Sequence, residues 1–283
     1  MMEKEFKYII SEKFDNFTIE SFFLSFHFGK DKVNSCLFNG KIKLNGKIVD
    51  NKAETLRKND VLTITFLYKE NNKYKIVINV VYEDEYIIVV NKPQGILIHT
   101  DGNTDNTLTN AVLNYLNEKE EKPYAYPVHR IDYDTTGIVI FAKDPLTLAY
   151  LSFEIEKHTF LKEYICLCYG KFDVLEGIIN KKIGRNRHNN KQIISKTGKT
   201  AISKFKVLEN DKVSKVLVEI QHGRKHQIRI HLSSINHPII GDSLYGKNDK
   251  KKLKLHFRRV IFFHPFILKK MEIYCEENFK WEN

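Results

Sequence analysis

Strand-like and helix-like stretches follow one another along this chain without the regular βαβ alternation that a parallel, doubly wound sheet requires. Two β-branched runs, Val80-Val81-Tyr82 and Ile87-Ile88-Val89-Val90, flank the acidic turn Glu83-Asp84-Glu85, and Pro93 stops the second. Further strand-like runs lie at 138–142, 164–169, 202–208 and 214–220, and patterns of helical period at 107–117, 145–156 and 226–235. Cys166 and Cys168 alternate in one of these runs and read as two small residues on one face of a buried strand. Long connections between mixed elements predict an α+β sheet domain over residues 80–283.

A smaller region precedes it. Phe22, Phe23, Phe26, Val33 and Leu37 fall near helical spacing, interrupted at Gly29. From Phe38 to Lys47 two short alternating runs meet at Asn-Gly pairs, the strongest short hairpin signal. An Asn59-Asp60 turn then leads into the strand Val61–Phe66. Residues 1–67 are therefore expected to form a small α+β domain. Residues 68–79, centred on the polar stretch YKENNKYK, are expected to be a linker between two cores.

Composition narrows the partners. Lys and Arg number 46 against 35 Asp and Glu, a net charge of +11, which favours a polyanion because phosphates bind basic surfaces with release of counterions. Charge alone does not separate that reading from a solvated, lysine-rich surface. The first residues carry acidic side chains, and no window approaches the roughly 18 apolar residues of a spanning helix. The four cysteines, at 36, 166, 168 and 275, include no CxxC pair and suit a reducing cytosol. A cytoplasmic monomer away from membranes is the expectation. His222 and His226 stand four apart, a zinc-like spacing on a helix, but Gly223 lies between them and no HExxH accompanies them. No metal is expected.

The segment richest in chemistry is His129-Arg130-Ile131-Asp132-Tyr133-Asp134-Thr135-Thr136-Gly137, a charged loop that turns at its glycine into the apolar run 138–142. A carboxylate beside an arginine is held ionised, since an opposite charge lowers its pKa by roughly 1–3 units. Read alone, such a loop is more often a structural ion pair than a catalytic site.

This segment resembles the signature of RluA-type pseudouridine synthases, HRLD followed by three residues and then S/T-G. Other motifs match in order: Glu83-Asp84 through Asn91-Lys92-Pro93-Gln94-Gly95 with His99; Lys162-Glu163-Tyr164; Gly223-Arg224-Lys225-His226-Gln227-Ile228-Arg229 through His231-Leu232; Pro238-Ile239-Ile240-Gly241-Asp242 with Tyr245-Gly246; and Leu255-His256 with Phe263-His264-Pro265. The likeness spans about residues 80–270. It departs at Ile131 and Thr136, where leucine and serine are usual, and at His222 and Lys225, where threonines are usual. Residues 1–67 resemble an S4-like RNA-binding domain through Gly40–Lys47 and the Lys58-Asn59-Asp60 turn, but FTIESF stands where the usual Arg-Leu-Asp opening would be.

The resemblance implies a mixed, mostly antiparallel sheet and an isomerase that detaches uracil from its ribose, turns it and rejoins it through carbon. No redox change or energy input is needed, so no cofactor is implied. The catalytic carboxylate falls on Asp132, either attacking the sugar or taking a proton. Tyr164 would stack on the base, and Arg229 would pair with Asp132. Arg130 would fill the space left by a flipped base. His129, Lys92 and Arg224 are expected at the RNA, with Lys30, Lys32, Lys41 and Lys43 on the N-terminal domain. Large-subunit ribosomal RNA is the expected partner, with transfer RNA or a non-catalytic role in ribosome assembly as alternatives.

Overall fold

The computed structural model describes residues 2–68, 76–119, 123–186, 191–247, 249–277 and 279. The N-terminal region comprises β1 (Met2–Ile9), α1 (Ile19–Ser25), α2 (Lys30–Phe38), β2 (Ile42–Leu44), β3 (Lys47–Ile48) and β4 (Val61–Tyr68), with a sheet ordered β1-β4-β2-β3. Strand alternation starts at once: Phe6, Tyr8 and Ile10 are buried, while Lys7 and Ile9 face out. The helical pattern divides as expected around Gly29, which caps α2, and Phe22, Phe23, Phe26, Val33 and Leu37 are all buried. Only the second Asn-Gly pair makes a hairpin. Asn45 and Gly46 both take positive φ between β2 and β3, whereas Asn39 ends α2.

The second region contains β5 (Asn79–Glu83), β6 (Ile87–Lys92), α3 (Leu108–Asn117), β7 (Tyr126–Pro127), β8 (Thr136–Ala142), α4 (Pro145–Glu156), β9 (Leu161–Tyr169), β10 (Glu176–Asn180), β11 (Ile183–Arg185), β12 (Gln192–Ile194), β13 (Ile202–Glu209), β14 (Val213–Ile220), α5 (Gln227–Ser233), β15 (Leu255–Phe263) and β16 (Lys270–Tyr274). Its ten-stranded sheet runs β10-β13-β14-β9-β15-β8-β6-β5, with β16 on β15 and β7 on β8. The ladders are antiparallel except β8–β15, which run parallel at His256↔Thr136 and Phe257↔Gly137. The fold is thus α+β with a mostly antiparallel sheet. Burial of the whole run Ile87–Val90 explains its unbroken β-branched sequence: apolar side chains pack on both faces.

Of the stretch read as a linker, residues 69–75 lie outside the described residues; Ile76 and Ile78 pack on the apolar cluster under β6 and α3. The two regions touch through aromatic side chains. Tyr124 and Leu146 join the N-terminal core, and the Phe266 ring lies against Tyr8, Phe26 and Tyr86 at 5.7, 4.7 and 4.1 Å between centroids. The Tyr8 hydroxyl donates to Asp144 Oδ1 at 2.8 Å, a carboxylate that also caps α4.

Candidate active site

Three sheet strands and one helix converge on a cleft lined by Arg130, Ile131, Asp132, Thr135, Tyr164, Ile220, Arg224, His226, Gln227 and Arg229. The loop bearing Asp132 precedes β8 and is closed by a turn in which Thr135 N–H donates to the Asp132 carbonyl. Its neighbour Tyr133 is tied to the β6–α3 connection: its carbonyl accepts from Gly95 N–H and from Lys92 Nζ. A short loop is thereby held on two sides, which fixes where the carboxylate projects.

Gly137 is the reason the loop can pass into β8 at this place. Its φ of +110° is one that L side chains rarely adopt, and a Cβ there would stand 2.3 Å from the Phe257 carbonyl oxygen. That close approach makes the parallel contact with β15. It also seats Phe257, whose ring stacks on Tyr164 at 4.4 Å with 11° between planes. Tyr164 is 7% exposed, and burial, aided by the Asp132 charge, pushes its hydroxyl far above the ordinary tyrosine range. It is a neutral aromatic face at the floor of the cleft.

Arg229 comes from α5, a short helix whose residues from Gln227 to Leu232 are all buried. Its Nε and Nη2 donate to Asp242 Oδ2 and Oδ1 at 2.8 and 2.7 Å, while Nη1 stands 3.7 Å from Asp132 Oδ2. The expected Arg229–Asp132 pairing is therefore the looser of two: the bidentate partner is Asp242, and the guanidinium presents its remaining edge to Asp132. Burial opposes both charges, yet the pairing outweighs it, lowering the Asp242 pKa and raising that of Arg229. Asp242 also accepts from the N–H groups of Leu244 and Tyr245, so its carboxylate is well bonded.

On the other side of Asp132, His226 Nε2 stands 3.9 Å from Oδ2. His226 takes a left-handed conformation, φ 56°, at the start of α5, and its Nδ1 meets the Tyr245 hydroxyl at 2.8 Å. Burial lowers its pKa despite the attraction of Asp132. The Arg229 guanidinium also sits 5.4 Å from the Tyr245 ring centroid. Asp242, Tyr245 and His226 were within the sequence motifs but were given no role there; an aspartate ending the apolar run Pro-Ile-Ile-Gly was the available signal.

Other expected residues are dispersed. Arg130 is exposed at the cleft mouth, and Arg224 lines the cleft while donating to the Thr200 carbonyl. His129 turns inward: its Nε2 accepts from Ile140 N–H, its ring meets Phe257 edge to face, and burial takes its pKa down to about 3. Lys92, expected at the RNA, is turned away from the surface. It is fully buried and donates to the carbonyls of Pro93, Ile96 and Tyr133, because a lysine without a carboxylate in the interior satisfies its protons on backbone oxygens. In the N-terminal region Lys30 and Lys32, on α2, are exposed, while Lys41 and Lys43 flank a hollow and Lys43 pairs with Glu5 at 2.8 Å. The histidines at 222, 226, 231 and 237 go to separate partners: His231 bonds Ser203 and the Lys181 carbonyl, and His237 stacks on Phe172.

A carboxylate between a guanidinium and an imidazole, above a neutral aromatic ring, suits a planar polar ring held beside a group that can add to carbon or move a proton. Comparison with known proteins bears on which ring. A family model described as RNA pseudouridylate synthase matches residues 86–234. A Mycoplasma genitalium protein named as an uncharacterized RNA pseudouridine synthase is 32% identical over 86% of this chain and 83% of its own length. A Bacillus subtilis protein of similar name is 38% identical over 66% of this chain, the match spanning 65% of that relative, just under two thirds. The ribosomal large subunit pseudouridine synthase D of Buchnera aphidicola is 34% identical over 81% of this chain and 79% of its own. Among solved structures, human RNA pseudouridylate synthase domain containing 1 shares the fold with a TM-score of 0.62 at 24% identity, over 72% of this chain and 85% of that one.

Proposed function

This chain belongs to the RluA-type RNA pseudouridine synthases, isomerases that convert uridine to pseudouridine in RNA, and we propose that its substrate is large-subunit ribosomal RNA and that Asp132 is its catalytic carboxylate. The observation that carries the assignment is convergence: Asp132, Tyr164 and Arg229, from three distant parts of the chain, line one cleft.

The reaction breaks the bond from C1′ to N1 and makes one from C1′ to C5. The hydrogen on C5 must leave and N1 must gain one, so the atoms balance without a co-reactant. Asp132 acts at the sugar or on a proton of the rearranging base. Tyr164 offers its face to the uracil ring, and Phe257 backs it. Arg229, anchored on Asp242, is a fixed cation whose free edge orients the carboxylate. A target inside a duplex or stack must be extruded, at a cost of a few kcal/mol, and exposed Arg130 at the mouth is placed to occupy the vacated space.

In the same reading residues 80–283 form the catalytic domain, and residues 1–67 an S4-like domain that contacts RNA phosphates with Lys30, Lys32 and Lys41. Two helices followed by a tight hairpin and a long strand support it. Lys43 and Lys52 are less available, being paired with Glu5 and Glu20. The choice of ribosomal over transfer RNA rests on the relatives named for the large subunit. Mapping pseudouridines in cells that lack the protein tests it: sites should vanish from large-subunit ribosomal RNA. Loss confined to transfer RNA would overturn the substrate assignment.

A further inference from the structure

Beside the cleft, four nitrogen-bearing side chains gather with no carboxylate among them. Lys162 lies two residues before Tyr164 on β9 and so shares its face of the sheet. It pairs across the ladder with Ile220, which lines the cleft, and His222 follows two residues on. His158, at a left-handed turn before β9, meets His222 edge to face at 4.6 Å between ring centroids. Arg224 completes the group and borders the cleft itself.

Two of these groups are buried and the other two half-buried, Arg224 with its Nε bonded to the Thr200 carbonyl. Lys162 is 7% exposed and His222 8%. The Nδ1 atoms of His158 and His222 are buried without a hydrogen-bond partner, and no ion pair joins any of the four to an acid among the described residues. Burial and the neighbouring positive charges depress all three of the weaker bases, taking Lys162 down to about 8. Gathering like charges away from water without a counter-ion opposes folding. An anion seated there would offset the repulsion among the positive charges and accept hydrogen bonds from their nitrogens.

We infer that His158, Lys162, His222 and Arg224 form a phosphate-binding subsite that takes a phosphodiester of the RNA strand next to the target uridine. The inference rests on the RNA reading for the identity of the strand. A phosphodiester suits the set: its two non-bridging oxygens share the negative charge and each accepts more than one hydrogen bond, so the guanidinium, the ammonium and the imidazole N–H groups can share them. The position also fits, because Arg224 belongs to both the cluster and the wall of the base cleft.

The test uses the full chain and has two arms. In the first, inorganic phosphate is titrated into RNA-free protein while the His158 and His222 ring protons are followed by NMR; both should shift together and saturate, and the shifts should be lost in Lys162→Gln. In the second, single methylphosphonates replace, in turn, each phosphate within two nucleotides of the target in a short RNA. One position should raise KM about tenfold with kcat kept, the equivalent of one strong charged contact, and that penalty should disappear in Lys162→Gln. If Lys162→Gln melts early, Arg224→Gln takes its place, and Lys162→Arg should restore the wild-type KM. Absence of phosphate-dependent shifts overturns the subsite. Shifts without any methylphosphonate position whose penalty the variant removes overturn its assignment to RNA. Wild-type protein that turns over no RNA would refute the proposed function instead, and the first arm would still report on the subsite.

Discussion

Arg229 grips both oxygens of Asp242 at 2.7 and 2.8 Å and stands 3.7 Å from Asp132. The pair at the centre of the cleft is thus built in two tiers: Asp242 anchors the guanidinium, and the guanidinium faces the carboxylate of Asp132. An anchor of this kind is silent in a contact list of reacting groups, yet it decides where they point.

The first consequence concerns Asp242. Asp242→Ala leaves Arg229 buried with only a distant partner and frees the N–H groups of Leu244 and Tyr245. Losing one member of a buried pair costs about 3–5 kcal/mol, so the variant should unfold at much lower denaturant and turn over RNA poorly even where folded. Arg229→Lys keeps the charge but not the fork, and should lose turnover more than stability. Wild-type stability and turnover in Asp242→Ala would show that the anchor does not matter.

The second concerns Gly137. Any side chain there meets the Phe257 backbone and is asked to adopt φ +110°. Gly137→Ala should therefore cost at least about 2 kcal/mol and shift Phe257 under Tyr164. Chemical denaturation gives the first number, and RNA turnover of the folded fraction reads the second. An unchanged midpoint would mean that the β8–β15 contact yields easily.

A third follows from Lys92 and its pH behaviour. Burial, against the pull of Asp134 and Asp132, brings its pKa down to about 8, while an unfolded lysine titrates near about 10.4. Between those values the unfolded chain binds the extra proton, so stability contributed here rises with pH across that window and is flat below it. Lys92→Met should cost about 2 kcal/mol or more by orphaning the carbonyls of Pro93, Ile96 and Tyr133. Between pH 8 and 9.5 its unfolding free energy should rise less steeply than that of the wild type. Equal slopes would contradict a depressed Lys92.

The sequence made some of this visible and hid the rest for definable reasons. Local signals read well: the hairpin at β5–β6 announces itself by β-branched runs about an acidic turn, and Gly29 divides α1 from α2. The loop carrying Asp132 was legible through its motif. Strand β1 is masked in the sequence by its charged residues, although Phe6, Tyr8 and Ile10 alternate plainly. Asn39-Gly40 was read as part of a hairpin because a helix end and a tight turn ask for the same residues. Lys92 and His129 look like surface cations in a motif; only tertiary burial makes them structural. The preference of Arg229 for Asp242 likewise depends on a turn folding back thirteen residues away. The aromatic contact of Phe266 with Tyr8 joins residues hundreds of positions apart, beyond the reach of any periodicity.

If Asp132 performs the chemistry, release of tritium from C5 of uridine-labelled RNA reports on it at the bond that must break. Asp132→Asn preserves shape, and the Arg229–Asp242 pair that holds the cleft together does not depend on it. The variant should therefore keep the wild-type melting curve and bind RNA, while its tritium release falls by at least about a thousandfold, as when a group that acts on the reacting atoms is removed. Substantial release by folded Asp132→Asn protein would place the chemistry on another residue.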